Sequence, residues 1–154
     1  MKEIIFKGCG TAIITPFTKD DKVDFEAFGK LIEYQISEKV DAIIVCGTTG
    51  ESATMSLDEK KETIQFAVQK VNKRIPVIAG TGANCTKSAI EMTKYAESIG
   101  VDGALVVTPY YNKTTQAGLI AHYSAIAKET NLPIILYSVP SRTGVNILPS
   151  TCVE

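Results

Sequence analysis

Ala42-Ile43-Ile44-Val45-Cys46-Gly47-Thr48-Thr49-Gly50-Glu51 runs from unbroken apolar, β-branched sequence straight into a loop of glycines and hydroxyls. Four apolar residues and a cysteine in succession are too continuous for a strand with one wet face, so the run reads as a buried parallel strand. The polar loop then falls at its carboxyl end. The same grammar recurs along the chain. Thr11–Ile14 is followed by Thr15-Pro16, Val77–Ala79 by Gly80-Thr81-Gly82, and Ala104–Val107 by Thr108-Pro109-Tyr110-Tyr111. Ile134–Tyr137 leads to Pro140-Ser141-Arg142-Thr143-Gly144.

Helical stripes fill the intervals. Phe25, Phe28, Leu31 and Ile32 form one, Ile64, Ala67, Val68 and Val71 a second, and Leu119, Tyr123, Ile126 and Ala127 another. A weaker stripe of Ala89, Met92, Ala96 and Ile99 predicts a helix over Lys87–Ile99. Ser56 with Glu59 forms a capping box, Thr86 marks a second helix start, and Gly100 stands where a left-handed residue ends a helix. Strand starts at 42, 77, 104 and 134 are 35, 27 and 30 residues apart, which suits right-handed βα units. No linker or low-complexity stretch interrupts them.

An alternating β/α chain can close into a barrel or open into a doubly wound sheet. No G-x-G-x-x-G follows the first strand, and polar or special residues sit at the carboxyl end of every strand, as in a TIM barrel. The expected class is therefore α/β, of the (β/α)8 TIM-barrel family, with residues 1–154 supplying about five strands and four helices. They would form the N-terminal part of a single barrel domain.

Composition narrows the function. The 154 residues are 45% hydrophobic, enough for a sizeable core, and a net charge of −1 with interspersed signs argues against nucleic acid. The four cysteines, Cys9, Cys46, Cys85 and Cys152, lie far apart with no C-x-x-C pair and no nearby histidine, so neither a metal nor a disulfide framework is expected. Met1-Lys2-Glu3-Ile4-Ile5-Phe6-Lys7 is too short and charged for a signal peptide, and no apolar run approaches ~18 residues. A cytoplasmic location with reduced thiols and no membrane partner is expected.

Several residues have the chemistry of a site, each beside a plainer reading. Gly47-Thr48-Thr49-Gly50-Glu51 offers hydroxyls and backbone N–H groups to a carboxylate, or is a glycine turn leading to the Ser56 cap. Tyr110, Tyr111 and Tyr137 place phenols at two adjacent strand ends, where with a threonine they could relay protons or simply close the barrel mouth. Arg142, framed by Pro140 and Gly144, has a planar fork suited to a carboxylate, or is a surface arginine. His122 lies mid-helix and reads as a packing or surface residue.

Together, Thr15-Pro16-Phe17, Gly47-Thr48-Thr49-Gly50-Glu51, Gly80-Thr81-Gly82-Ala83-Asn84, Thr108-Pro109-Tyr110-Tyr111-Asn112 and Tyr137-Ser138-Val139-Pro140-Ser141-Arg142-Thr143-Gly144 resemble the dihydrodipicolinate synthase family in order and spacing. The resemblance covers essentially the whole chain. It implies a lyase without a cofactor, in which pyruvate forms a Schiff base with a lysine and the derived enamine attacks L-aspartate 4-semialdehyde in lysine and diaminopimelate biosynthesis. It implies a proton relay of Thr48, Tyr137 and Tyr111, the last contributed across a subunit interface of a homo-oligomer, a tetramer in the complete enzyme. Thr49 would bind the pyruvate carboxylate and Arg142 that of the semialdehyde. Ser138 replaces the asparagine often found after the relay tyrosine.

Two other readings stand beside this one. N-acetylneuraminate lyase and other pyruvate aldolases share the barrel and the glycine-rich second loop, but the Arg142 segment favours the synthase. The chain could also be a non-catalytic half-barrel, because a Schiff-base lysine is normally buried at a strand end, where desolvation lowers its pKa. Lys113 comes closest in sequence but sits in a polar loop. By resemblance the nucleophile lies on a sixth strand beyond Glu154, with Pro149-Ser150-Thr151 opening the fifth helix. The resemblance also implies insensitivity to lysine, since Leu57, Lys60 and Ser88 stand where sensitive relatives carry histidines and a glutamate.

Overall fold

The computed structural model describes residues 4–154; Met1, Lys2 and Glu3, the start of the stretch read as too short and charged for a signal peptide, lie outside the described residues. Five strands, β1 (Gly10–Ala12), β2 (Ala42–Val45), β3 (Val77–Gly80), β4 (Gly103–Val107) and β5 (Ile134–Tyr137), pair in parallel in the order β1-β2-β3-β4-β5. Each new strand is added to the same edge. A doubly wound sheet would reverse its order at a switch point, so this progression is that of a barrel wall.

Four long helices return the chain between strands: α1 (Phe25–Ser37), α2 (Leu57–Val71), α3 (Thr86–Ser98) and α4 (Gln116–Lys128). Their stripes bury Phe28 and Ile32, Ile64, Ala67 and Val71, Ala89, Met92 and Ala96, and Leu119, Tyr123 and Ile126 against Ile43, Val45, Val77, Ala79, Ala104 and Val106. Alternate strand residues face this layer because side chains switch faces at every step of a strand. By register Tyr137 pairs with Val107 and Ile135 with Leu105, which puts these four on the opposite, inner face.

The capping box at α2 is present in both halves, with Glu59 N–H donating to Ser56 Oγ at 3.2 Å and Ser56 N–H to Glu59 Oε2 at 2.8 Å. Gly100 follows α3 at φ +87°, as its position predicts. Thr86 differs from expectation. It is the first helical residue rather than the cap, and Cys85 takes the cap position.

Two further differences concern the edges. β1 and β5 are only partly buried, and Leu136 on β5 is 38% exposed, because an edge strand lacks a neighbour on one side. β1 spans Gly10–Ala12 rather than Thr11–Ile14, although Ile13 N–H still donates to Ile44 O at 3.1 Å. Two short helices complete the chain, α5 (Pro140–Thr143) and α6 (Pro149–Val153), the latter starting at the expected proline.

Candidate active site

All the strand-end loops lie along one edge of the sheet, and specific contacts lace them together. Thr15, buried after β1, donates its Oγ1 hydrogen to Gly50 O at 2.7 Å, joining the first loop to the second. Cys46 turns the chain out of β2 at φ +55°, which brings its carbonyl onto β3: a Cβ on Gly80 would lie 2.1 Å from Cys46 O. Only glycine permits that approach. Asn112 Nδ2 donates to Asn84 O at 3.1 Å, tying the fourth loop to the third, and Thr108 N–H donates to Tyr137 O at 3.1 Å, tying the fourth to the fifth.

Within this frame the hydroxyl of Thr48 meets the phenol of Tyr137 at 3.4 Å. The contact joins the end of β2 to the end of β5 across the inner face of the curved sheet. Either oxygen can donate, so a proton can pass in either direction between them.

Tyr111 is placed differently. Its side chain is 92% exposed, and no hydrogen bond joins it to Thr48 or Tyr137 among the described residues. The backbone explains its projection. Asn112 N–H donates to Tyr110 O at 2.8 Å around Tyr111 at φ +68°, a three-residue turn with a left-handed centre. Such a turn is rare and strained for a residue with a side chain, and strain of this kind gathers at functional loops.

Thr49 is exposed in the second loop, without a side-chain hydrogen bond among the described residues. Arg142 is exposed on the single turn of α5. That turn is held from inside by buried Thr143, whose Oγ1 donates toward Val139 O and Val145 O at 3.3 and 3.1 Å. Its C-cap, Gly144, is at φ +69°. In sequence the segment reads as a loop, since one helical turn has no period to read.

His122 does not join the site. It is buried between α4 and the start of α3, with Nδ1 2.9 Å from Thr86 Oγ1, and Nε2 has no partner. Burial pushes its pKa down, so the ring is held neutral in packing, as its mid-helix position suggested. Cys46 is the strand-end residue that sequence reading passed over. Burial pushes its thiol up to about 12, which keeps it protonated and unreactive, and its part is the backbone turn. Among the described residues no three His, Cys, Asp or Glu side chains gather as a metal site. No described helix is long and apolar enough to cross a membrane. A groove of about 610 Å³ between α1 and α2, floored by Phe25 and Phe66, lies in the outer helical layer and includes no strand-end residue.

Residues 5–154 match the model of the dihydrodipicolinate synthetase family. The chain is 64% identical over 147 residues to 4-hydroxy-tetrahydrodipicolinate synthase 1 of Clostridium acetobutylicum, covering 96% of this chain and 50% of that one. It is 59% identical over 150 residues to the 4-hydroxy-tetrahydrodipicolinate synthase of Clostridium novyi, covering 97% and 50%. Among solved structures, the dihydrodipicolinate synthase of Acinetobacter baumannii complexed with pyruvate superposes with a TM-score of 0.95 at 51% identity, over 97% of this chain and 51% of that one. The Aquifex aeolicus dihydrodipicolinate synthase gives 0.93 at 51% identity, over 96% and 50%. The chain spans about half the length of the curated relatives it matches. It belongs to the dihydrodipicolinate synthetase family.

Proposed function

We propose, from that family membership, that these residues form the N-terminal part of a single TIM-barrel domain of a 4-hydroxy-tetrahydrodipicolinate synthase. The reaction is the condensation of pyruvate with L-aspartate 4-semialdehyde in lysine and diaminopimelate biosynthesis. It runs in the cytoplasm, without a cofactor, in a homotetramer.

The observation that carries the reading is the contact of Thr48 with Tyr137 at 3.4 Å, made between the loop after β2 and the last residue of β5, with β3 and β4 between the two strands. In the reaction a lysine amine, supplied from outside these residues, adds to the pyruvate carbonyl with loss of water to give a Schiff base. Loss of a methyl proton gives the enamine, whose carbon bonds to the aldehyde while the aldehyde oxygen gains a proton. Each step moves a proton. Two hydroxyls in contact can pass protons without bearing a full charge. Tyr111, strained and projecting, completes the relay from a neighbouring subunit. Its outward placement agrees with a role across an interface rather than within its own chain.

Thr49 holds the pyruvate carboxylate in the glycine-rich second loop. Arg142 takes the semialdehyde carboxylate through a bidentate fork, and the clamped turn of α5 keeps that fork in one orientation. A protein of its relatives' full length, assayed with pyruvate and aspartate semialdehyde, tests the proposal, with pyruvate and N-acetylmannosamine as the control. Turnover of the first pair and none of the second is expected. The reverse preference would reassign the chain to a sialic-acid aldolase.

A further inference from the structure

The fourth loop carries a second cation that reaches the turn bearing Arg142. Lys113 follows the Tyr111 turn with its own backbone at φ +51°, and Asn112 between them is fixed to Asn84. This conformation sends the lysine side chain across to the β5 turn. A Cβ on Gly144 would lie 3.0 Å from Lys113 Cε and 3.7 Å from Nζ. Gly144 is the cap of the helical turn that bears Arg142, two residues away.

Charge balance makes the placement informative. Neither Lys113 nor Arg142 enters an ion pair among the described residues. The segments 110–116 and 138–148, which carry them, contain no aspartate or glutamate. Some cations elsewhere are paired across elements, as Arg74 is with Glu33 at 2.8 Å and Lys94 with Glu129 at 3.0 Å. Two like charges brought near the same turn from separate loops without a counter-ion repel each other, and an anionic ligand between them relieves the repulsion. A mouth lined by one sign of charge also concentrates small ions of the other sign.

We infer that Lys113 is a second cationic binding residue at the mouth, acting with Arg142 on the carboxylate of the incoming semialdehyde. The inference rests on the proposed function. The two cations divide the work: the arginine fork fixes orientation, and the ammonium adds attraction as a point charge. Its effect therefore falls on substrate capture rather than on the chemical steps.

The test uses the full-length protein. Lys113→Met keeps the aliphatic stem and removes the charge, and it should raise the KM for aspartate semialdehyde about threefold to tenfold, the range for one partly screened charge contact. The kcat and pyruvate KM should stay within about twofold, and the salt dependence of kcat/KM for the semialdehyde should become shallower. Lys113→Arg should restore the wild-type KM. An unchanged semialdehyde KM and salt dependence in Lys113→Met, with the wild type active, would overturn this inference and leave the proposed function standing. Equal damage from Met and Arg would overturn it in favour of a structural role. A wild-type protein inert toward the semialdehyde would overturn both.

Discussion

The hydroxyl oxygens of Thr48 and Tyr137, 89 residues apart in sequence, stand 3.4 Å apart at the carboxyl ends of β2 and β5. Two strands, β3 and β4, lie between them in the sheet, so the contact exists only because the sheet curves enough to bring its second and fifth strands face to face. A flat sheet would separate those strands by roughly 14 Å at 4.7–4.9 Å per step. The pair therefore reports both the curvature of the wall and the convergence of its loops.

If Thr48 and Tyr137 relay protons together with Tyr111, loss of a relay hydroxyl should appear in kcat. In the full-length protein, Thr48→Val and Tyr111→Phe should each lower kcat tenfold or more, about 1.4 kcal/mol in the barrier, with pyruvate KM changed far less. Arg142→Ala should chiefly raise the KM for the semialdehyde, since the lost contact is to the substrate in its ground state as well as in the transition state. Steady-state kinetics with both substrates varied separates these outcomes. Effects of all three confined to pyruvate KM would contradict the assigned roles.

The close approach at Gly80 gives a stability prediction with an internal control. A methyl group there would lie 2.1 Å from the carbonyl oxygen of Cys46, so Gly80→Ala must push two strands apart and should cost about 3 kcal/mol or more. At Gly47 the nearest atom would be 3.8 Å away, in ordinary contact. Gly47→Ala should stay within about 0.5 kcal/mol of the parent. Urea denaturation of the two variants checks the contrast, and equal midpoints would show that the strand ends are looser than described.

Much of this was legible in the sequence because the signals were redundant. Apolar continuity and the loop chemistry agree at the ends of β2, β3, β4 and β5, and the apolar run Ile134–Tyr137 coincides with β5. Motif order gave the family. What stayed hidden depends on distance rather than pattern. Thr86 looks like a cap in sequence, but its hydroxyl serves His122 from a helix thirty-six residues on. Nothing in the sequence marks the left-handed backbone of Cys46, Tyr111 or Lys113, since such conformations are imposed by contacts elsewhere. Thr48 and Tyr137 could each be assigned to a strand end, but their meeting required the curvature.

His122 predicts a pH dependence of stability. Burial lowers its native pKa below the ordinary 6.5, so the unfolded chain binds a proton first as pH falls. The contribution of the neutral ring is complete above the ordinary value and is lost as pH drops through it toward the lowered native value. It is the only histidine in the chain. Stability by urea denaturation should therefore decline between pH 7.5 and 5.5 in the parent, and His122→Gln should flatten that slope. A slope of equal size in the variant would remove the ring as its source.

The full-length protein should be insensitive to lysine. By resemblance, sensitive relatives bind the inhibitor with a histidine and a glutamate, and Leu57, Lys60 and Ser88 stand in those places. Leu57 is exposed at the first position of α2 and Ser88 lies in the first turn of α3, so no carboxylate from these positions can meet a lysine ammonium. Losing one charge-assisted hydrogen bond costs about 1.5–3 kcal/mol, or roughly tenfold to a hundredfold in affinity. Half-inhibition by submillimolar lysine would refute this reading.

A polypeptide of residues 1–154 alone should form no covalent adduct with pyruvate and should not turn over the semialdehyde, although it carries the Thr48–Tyr137 pair and Arg142. A Schiff base needs an amine that is neutral part of the time near pH 7, which proteins achieve by burying a lysine at a strand end. The lysine nearest the mouth, Lys113, is exposed and lies across Gly144, on the rim rather than beneath the Thr48–Tyr137 pair. Hydroxyls and an arginine can orient a keto acid, but removing the group that makes the covalent intermediate removes the pathway rather than a fraction of it. Borohydride reduction in the presence of pyruvate, followed by intact mass measurement, should leave the mass of this polypeptide unchanged. The same treatment of the full-length protein should add one reduced pyruvyl group per chain. An adduct on the 154-residue polypeptide at a stoichiometry near one, mapped to Lys113 or to any other lysine, would show that the nucleophile lies within these residues and that the proposed division of the site is wrong.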